Sequence, residues 1–104
     1  MGTVSDRTVF TYLVNDLPAG VITGVPDLLG GLVIEHVIAF KQRAFLPMLR
    51  AGIQEAFLLG YHYLLVGIPR TFLPAAKLVK AAERVGFEEY VHDPTTHYLV
   101  RYLP

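Results

Sequence analysis

Apolar positions recur along this chain at two spacings, and each change of spacing marks the edge of an element. Residues 8–14 are rich in β-branched and aromatic side chains and read as a strand. Asn15, Asp16, Leu17, Pro18, Ala19 and Gly20 read as a turn, since Asn, Asp, Pro and Gly each favour one for a separate steric or hydrogen-bonding reason. A second strand over 21–25 folds back on the first as a hairpin. A loop over 26–31 then leads to a third strand that ends at Phe40. Simple alternation puts Leu32, Ile34, His36, Ile38 and Phe40 on one face, with Val33, Glu35, Val37 and Ala39 on the other. Both sets are mostly apolar, which predicts a central strand covered on both sides.

From about residue 46 the spacing lengthens to three and four. Leu46, Leu49, Ile53, Ala56, Phe57 and Gly60 line one side of a helix, with Gly60 ending it as a left-handed cap. A short apolar strand over 61–68 follows, and strand, helix, strand in this order implies a parallel, right-handed crossover. Pro69 and Pro74 bracket a loop, and a second helix runs over 75–85 to a cap at Gly86. Strands over 88–92 and 96–103 flank a turn at Asp93, Pro94, Thr95 and Thr96, so the chain closes on a hairpin. The expected fold is one α/β domain over residues 1–104: a mixed central sheet, β-β-β-α-β-α-β-β, with flanking helices.

Composition sharpens this picture in one respect. Apolar residues make up 53% of the chain and charged residues 17%, against a usual charged share of roughly 25%. So few charges leave apolar surface for other chains to cover, and contacts with protein partners are expected. Nine basic residues balance nine acidic ones, with no basic cluster interleaved with aromatics, which argues against a nucleic-acid surface. Cysteine is absent, excluding disulfides, thiolate metal sites and a thiol nucleophile. The first seven residues lack the basic and apolar regions of a secretion signal, and no run approaches the ~18 apolar residues needed to cross a bilayer. The expectation is a protein of the cytoplasm or of a larger assembly.

Candidate chemistry is sparse. Glu35, in the third strand, is placed to act as a base, or else to pair with Arg43, Arg50 or His36. His36, His62, His92 and His97 show no metal-ligand spacing, and no metal is expected. Arg43, Arg50, Arg70 and Lys77 either gather near a helix start as an anion site or form a solvated face. Tyr90, Tyr98 and Tyr102, with Phe87, make the last hairpin aromatic and suit packing or an interface.

Between the third strand and the first helix lies Phe40-Lys41-Gln42-Arg43-Ala44-Phe45-Leu46-Pro47. A strand turning into a helix can hold a phosphate on its free N–H groups, best with glycines in the loop. The order of elements, with Phe-Leu-Leu-Gly-Tyr over 57–61 and Val-Gly-Phe over 85–87, resembles the GNAT superfamily of acyl-CoA-dependent N-acetyltransferases. That resemblance spans nearly the whole chain. It implies a GNAT-like fold, Glu35 as the base, and Gln42, Arg43, Ala44, Phe45 and Leu46 as the acyl-CoA loop. Against the family pattern, Phe45 and Pro47 stand where glycines belong, so the ring is expected to block a phosphate and the proline to withhold an N–H, and Ala82 stands where the usual acid is a tyrosine. A first strand and two helices of the family are also missing, so the domain reads as truncated.

These departures, and the likeness to short GNAT-like proteins of tailed phages, suggest a non-catalytic structural or assembly protein without cofactor, in a virion or the cytoplasm. Its contacts would run through the edge strand with Tyr12 and the hairpin with Tyr98 and Tyr102, to copies of itself or to virion proteins. The alternative is an N-acetyltransferase that uses acetyl-CoA and works as an oligomer. A third reading is a regulatory module that binds CoA without catalysis.

Overall fold

The computed structural model describes residues 7–104. Strands β1 (Thr8–Val14), β2 (Leu17–Pro26) and β3 (Gly31–Ala39) lead through a 3-10 turn at Gln42–Ala44 into helix α1 (Phe45–Leu58). Strand β4 (Tyr63–Pro69), helix α2 (Ala75–Arg84), β5 (Glu88–Val91) and β6 (Thr96–Tyr102) complete the chain. The six strands form one mixed sheet in the order β1-β2-β3-β4-β6-β5, in which only β3 and β4 are parallel neighbours. The expected order of elements is therefore the observed one. No helix among the described residues is long and apolar enough to cross a membrane.

Local chemistry accounts for the joints. Asn15 and Asp16 both take positive φ, 52° and 64°, the mirror-image turn that matches strand twist in a tight hairpin. This two-residue turn lets β2 begin at Leu17, not at residue 21, and the register slip near Pro18 absorbs the proline. Both helices end as the glycines predict. At Gly60 (φ 90°) and Gly86 (φ 95°) the chain turns left-handed. Tyr61 N–H then reaches back to Ala56 C=O, and Phe87 N–H to Ala82 C=O, across six residues in each case. Two such caps, each followed by an aromatic residue, are the physical content of the Gly-Tyr and Gly-Phe signatures.

The two crossovers, β3-α1-β4 and β4-α2-β5, advance across the sheet in the same direction. Right-handedness then puts both helices on one face. The core agrees: Leu32, Leu64, Ile68 and Leu99 of the sheet bury against Ala56 of α1 and Ala75, Ala82 and Val85 beyond it. The expectation of a central strand covered on both sides is thus corrected. Residues 7–104 supply one helical layer only.

The predicted alternation along β3 also fails, at a single point. Ile34 pairs with Gly24 and His36 with Thr23, so Glu35 is an extra residue in β3 with no partner in β2. Such a bulge resets which face each later residue takes. Val37 and Ala39 join Leu32 and Ile34 on the helix side, while His36, Ile38 and Phe40 face outward and are exposed.

Candidate active site

Strands β3 and β4 are joined only from Gly31–Ile34 to Tyr63–Val66. Beyond that point each keeps its other neighbour, β3 holding β2 as far as Ala39 and β4 holding β6 as far as Pro69. The parallel pair therefore splits into a V whose inner edges have no ladder partner. Two hydrogen bonds fix which groups face the gap: Phe40 N–H to Ala19 C=O on the β2 side, and Leu103 N–H to His62 C=O on the β6 side. Alternating from these, Val37 and Ala39 aim their backbone groups into the V from β3, and Gly67 and Pro69 do so from β4. Pro69 is tolerated in a central strand because the N–H it lacks would have had no partner there.

The split starts where the bulge bends β3 away. Beneath it, between the sheet and the two helices, lies a cavity of about 180 Å³. Its walls are apolar, including Ile34, Val37, Leu49, Val66 and Leu78, and Glu35 is the charged residue at its lining. Glu35 is exposed and paired with Arg7, whose Nε lies 2.7 Å from Oε1 and whose Nη2 lies 3.2 Å from Oε2. The partners considered from the sequence, Arg43, Arg50 and His36, do not hold it. Arg7 orients the carboxylate at the head of the cavity while leaving it in reach of solvent.

The loop from β3 to α1 differs in detail from the blocked site read in the sequence. Phe45 is half-buried and lines the cavity, so its ring forms part of the wall below the loop. Pro47 occupies the third position of α1, where a backbone N–H would have no carbonyl within the helix to bond. Ala44 precedes the helix without a side-chain cap, and Lys41 and Arg43 are exposed beside it. The helix start thus presents the positive end of its dipole with two cations near it. Arg50 is exposed farther along α1. Gln42 lies within the 3-10 turn.

At the end of β4, Arg70, a candidate for a basic group near a helix start, instead joins residues of the last hairpin in a cluster that sequence reading did not assemble. Arg70 donates from Nε to Asp93 C=O at 2.7 Å, approaches His97 Nε2 at 3.5 Å, and meets Glu89 Oε1 at 3.4 Å. It ties the last hairpin to the rim of the V. Asp93 is held below the usual carboxylate range chiefly by the Thr95 hydroxyl and backbone N–H, with Thr96 and Arg70 adding to it. The only signal in the sequence is Arg70 directly after Pro69.

The remaining candidates are scattered. His36 shares a hydrogen bond with Thr23 at 3.0 Å between Nδ1 and Oγ1, His62 and His92 are exposed, and Lys77 lies on the outer face of α2. No group of three or more metal-ligating side chains occurs among the described residues. Tyr12 sits on edge strand β1 opposite Gly20, on the helix side. Tyr98 and Tyr102 lie on the other face, opposite Gly67 and Tyr63, and the Tyr98 ring covers Gly67 at the edge of the V.

No protein-family model matches the sequence, and no curated protein does so. Solved structures do match. N-acetyltransferase PseH of Campylobacter jejuni superposes with a TM-score of 0.81 at 17% identity, over 97% of this chain and 71% of that one. The ribosomal-protein-S18-alanine N-acetyltransferase of Escherichia coli gives 0.76 at 13% identity, over 97% and 72%. A GNAT family acetyltransferase from Elizabethkingia anophelis, with acetyl-CoA bound, gives 0.74 at 13%, over 91% and 75%. The fold is that of the GNAT N-acetyltransferases.

These neighbours, and two aminoglycoside 6'-acetyltransferases beside them, correct the expectation of a non-catalytic structural or virion protein. They favour the acetyltransferase alternative. The physical reason is local: the two bulky residues taken to close the phosphate site, Phe45 and Pro47, occupy a cavity wall and a helix position that needs no donor.

Proposed function

We propose that this chain is an acyl-CoA-dependent N-acetyltransferase with acetyl-CoA as its acetyl donor. The observation that carries the reading is the split of β3 from β4 directly above an apolar cavity, with a carboxylate at its head. A thioester carried on a thin chain bearing amide groups suits such a V. Its amides can pair with the free backbone groups of Val37, Ala39 and Gly67 as an added strand does. The helix start at Phe45 and Leu46, with Lys41 and Arg43, suits the diphosphate at the other end of that chain. In this reading Arg43 to Leu46 serve as the acyl-CoA loop, through the helix dipole and the neighbouring cations in place of glycine-rich contacts.

In the reaction the acceptor amine attacks the thioester carbonyl carbon. The new C–N bond forms as the C–S bond breaks, and the thiolate of CoA departs. Glu35 takes the proton that the amine nitrogen loses, directly or through one water, and returns it to solvent. With Ala82 in place of the usual tyrosine, the thiolate takes its proton from water.

Calorimetry with acetyl-CoA tests the first half of the proposal: binding at micromolar strength is expected, and no measurable heat sinks it. Thiol release in the presence of a panel of amines tests the second. Glu35→Gln is expected to lower kcat by about 10²–10⁴-fold while acetyl-CoA binding is kept. An unchanged rate in that variant removes Glu35 from the chemistry.

A further inference from the structure

We propose that the uncovered face of the sheet is the contact surface of a symmetric dimer, occupied by the same face of a second copy. The face is set by register. Val9, Val21, Val25, Val33 and Leu65 alternate with the residues that face the helices, and Ile38, Phe40, Tyr63, Tyr98 and Tyr102 extend the same surface; Val100 shares the face by register but is itself buried. Both crossovers carry their helices to the opposite side, so neither helix lies over it. The cost is visible in single residues. Val9, Phe40 and Tyr102 are each more than half exposed, at 56%, 60% and 60%.

Size and charge both fit a second copy. Six strands about 4.8 Å apart, each near seven residues long at about 3.3 Å per residue, make a face of roughly 650 Å². Two such faces together bury on the order of 1,300 Å², inside the range of about 1,200–2,000 Å² typical of stable interfaces. Register puts two side chains that can carry charge on the face, His36 on a central strand and Glu88 on the edge strand β5. Arg7, just before β1, and Glu35, at the bulge of β3, neutralise each other. The chain carries no net charge. Neither local nor global repulsion therefore opposes self-association, and two twisted sheets of one kind stack face to face about 10 Å apart. The contact is isologous, so it closes at two copies and does not run on into a fibre.

The dimer would also bear on the cleft. Ile38 and Phe40 on one side and Tyr98 on the other flank the V where it opens through the sheet. The partner's face would roof that opening and form the wall against which an acceptor rests. This consequence depends on the acetyltransferase reading, whereas the dimer itself does not.

Sedimentation equilibrium of the full chain separates the two, since it reads mass and not turnover. A species of twice 11.6 kDa is expected. It should weaken by well over about tenfold in the double variant Ile38→Lys with Phe40→Lys, because unpaired charges buried at an interface are costly. Both side chains are largely exposed in the single chain, so circular dichroism of the variant should match the parent. Leu58→Lys, on the exposed end of α1, should leave the mass unchanged. A monomer at every concentration overturns the proposal, as does a dimer indifferent to the double variant or one broken by Leu58→Lys. If the variant unfolds, Val9→Lys on the outer strand provides the same test at a site less coupled to the core.

Discussion

The parallel pair of strands β3 and β4 has two ends that could hardly differ more. At the lower end the strands are zipped. Leu32 is wholly buried, Gly31 lets the Tyr63 ring lie against its backbone, and His62 N–H bonds Gly30 C=O at 2.8 Å. Asp27 staples that end, accepting hydrogen bonds from Leu29 N–H, Gly31 N–H and the Tyr63 hydroxyl. At the upper end the same strands part, and their free backbone groups face a cavity. The lesson is a division of labour within one strand pair: the closed end holds the sheet together, so that the open end can leave polar backbone unpaired for a ligand.

Truncating an aliphatic side chain at each end tests that division most strongly. Leu32→Ala should destabilise by about 2–5 kcal/mol, as expected of a fully buried leucine in a packed core. Val37→Ala, beside a cavity that already exists, should cost only about 1 kcal/mol. Urea unfolding of the two variants measures the contrast, and similar losses at both ends would abolish it. Cutting the staple comes next. Asp27→Ala leaves two backbone N–H groups and a phenol without their acceptor, and should lower stability by about 1–2 kcal/mol. Acetyl-CoA binding at the far end should not change.

The smallest effect lies in pH dependence. Asp27 is held below its ordinary 3.8 by the Tyr63 hydrogen bond first, then by the backbone N–H of Gly31, while burial opposes them. Its contribution is present above the unfolded carboxylate pKa and fades as pH falls through the lower folded value. Tyr63 is pushed up to about 12, mainly by the same bond to Asp27. Its contribution is complete below the ordinary 10 and is lost as pH rises from there through 12. Unfolding midpoints across the alkaline range should show that loss in the parent and not in Tyr63→Phe.

Much of this architecture could be read before the structure was known. Chain periodicity and the two glycine caps give the order of elements, because helix and strand spacing depend on local backbone geometry alone. The single-sided placement of the helices also follows from handedness, once the strand order is known. The bulge could not be read. Glu35 carries no local mark of being an extra residue, since a bulge is defined by what lies opposite it on β2. Reading straight alternation through that point put His36, Ile38 and Phe40 on the wrong side. The cleft left a fainter trace, in Gly67 and Pro69 on what is otherwise a central strand, two residue types that such a strand normally avoids. Phe45 and Pro47 misled because a motif position was judged by residue type alone. Where each side chain goes, and whether its N–H was ever needed, depends on the helix start.

The bulge carries a consequence for how this site can change. Glu35 acts as a shim: the added length of backbone pries β3 from β4, whatever side chain it bears. Shape and reactivity are therefore separable at one residue. Exchanging the carboxylate should silence the chemistry with the cleft intact. Deleting the residue outright would restore an unbroken ladder and let the sheet zip shut over the place where a ligand now fits.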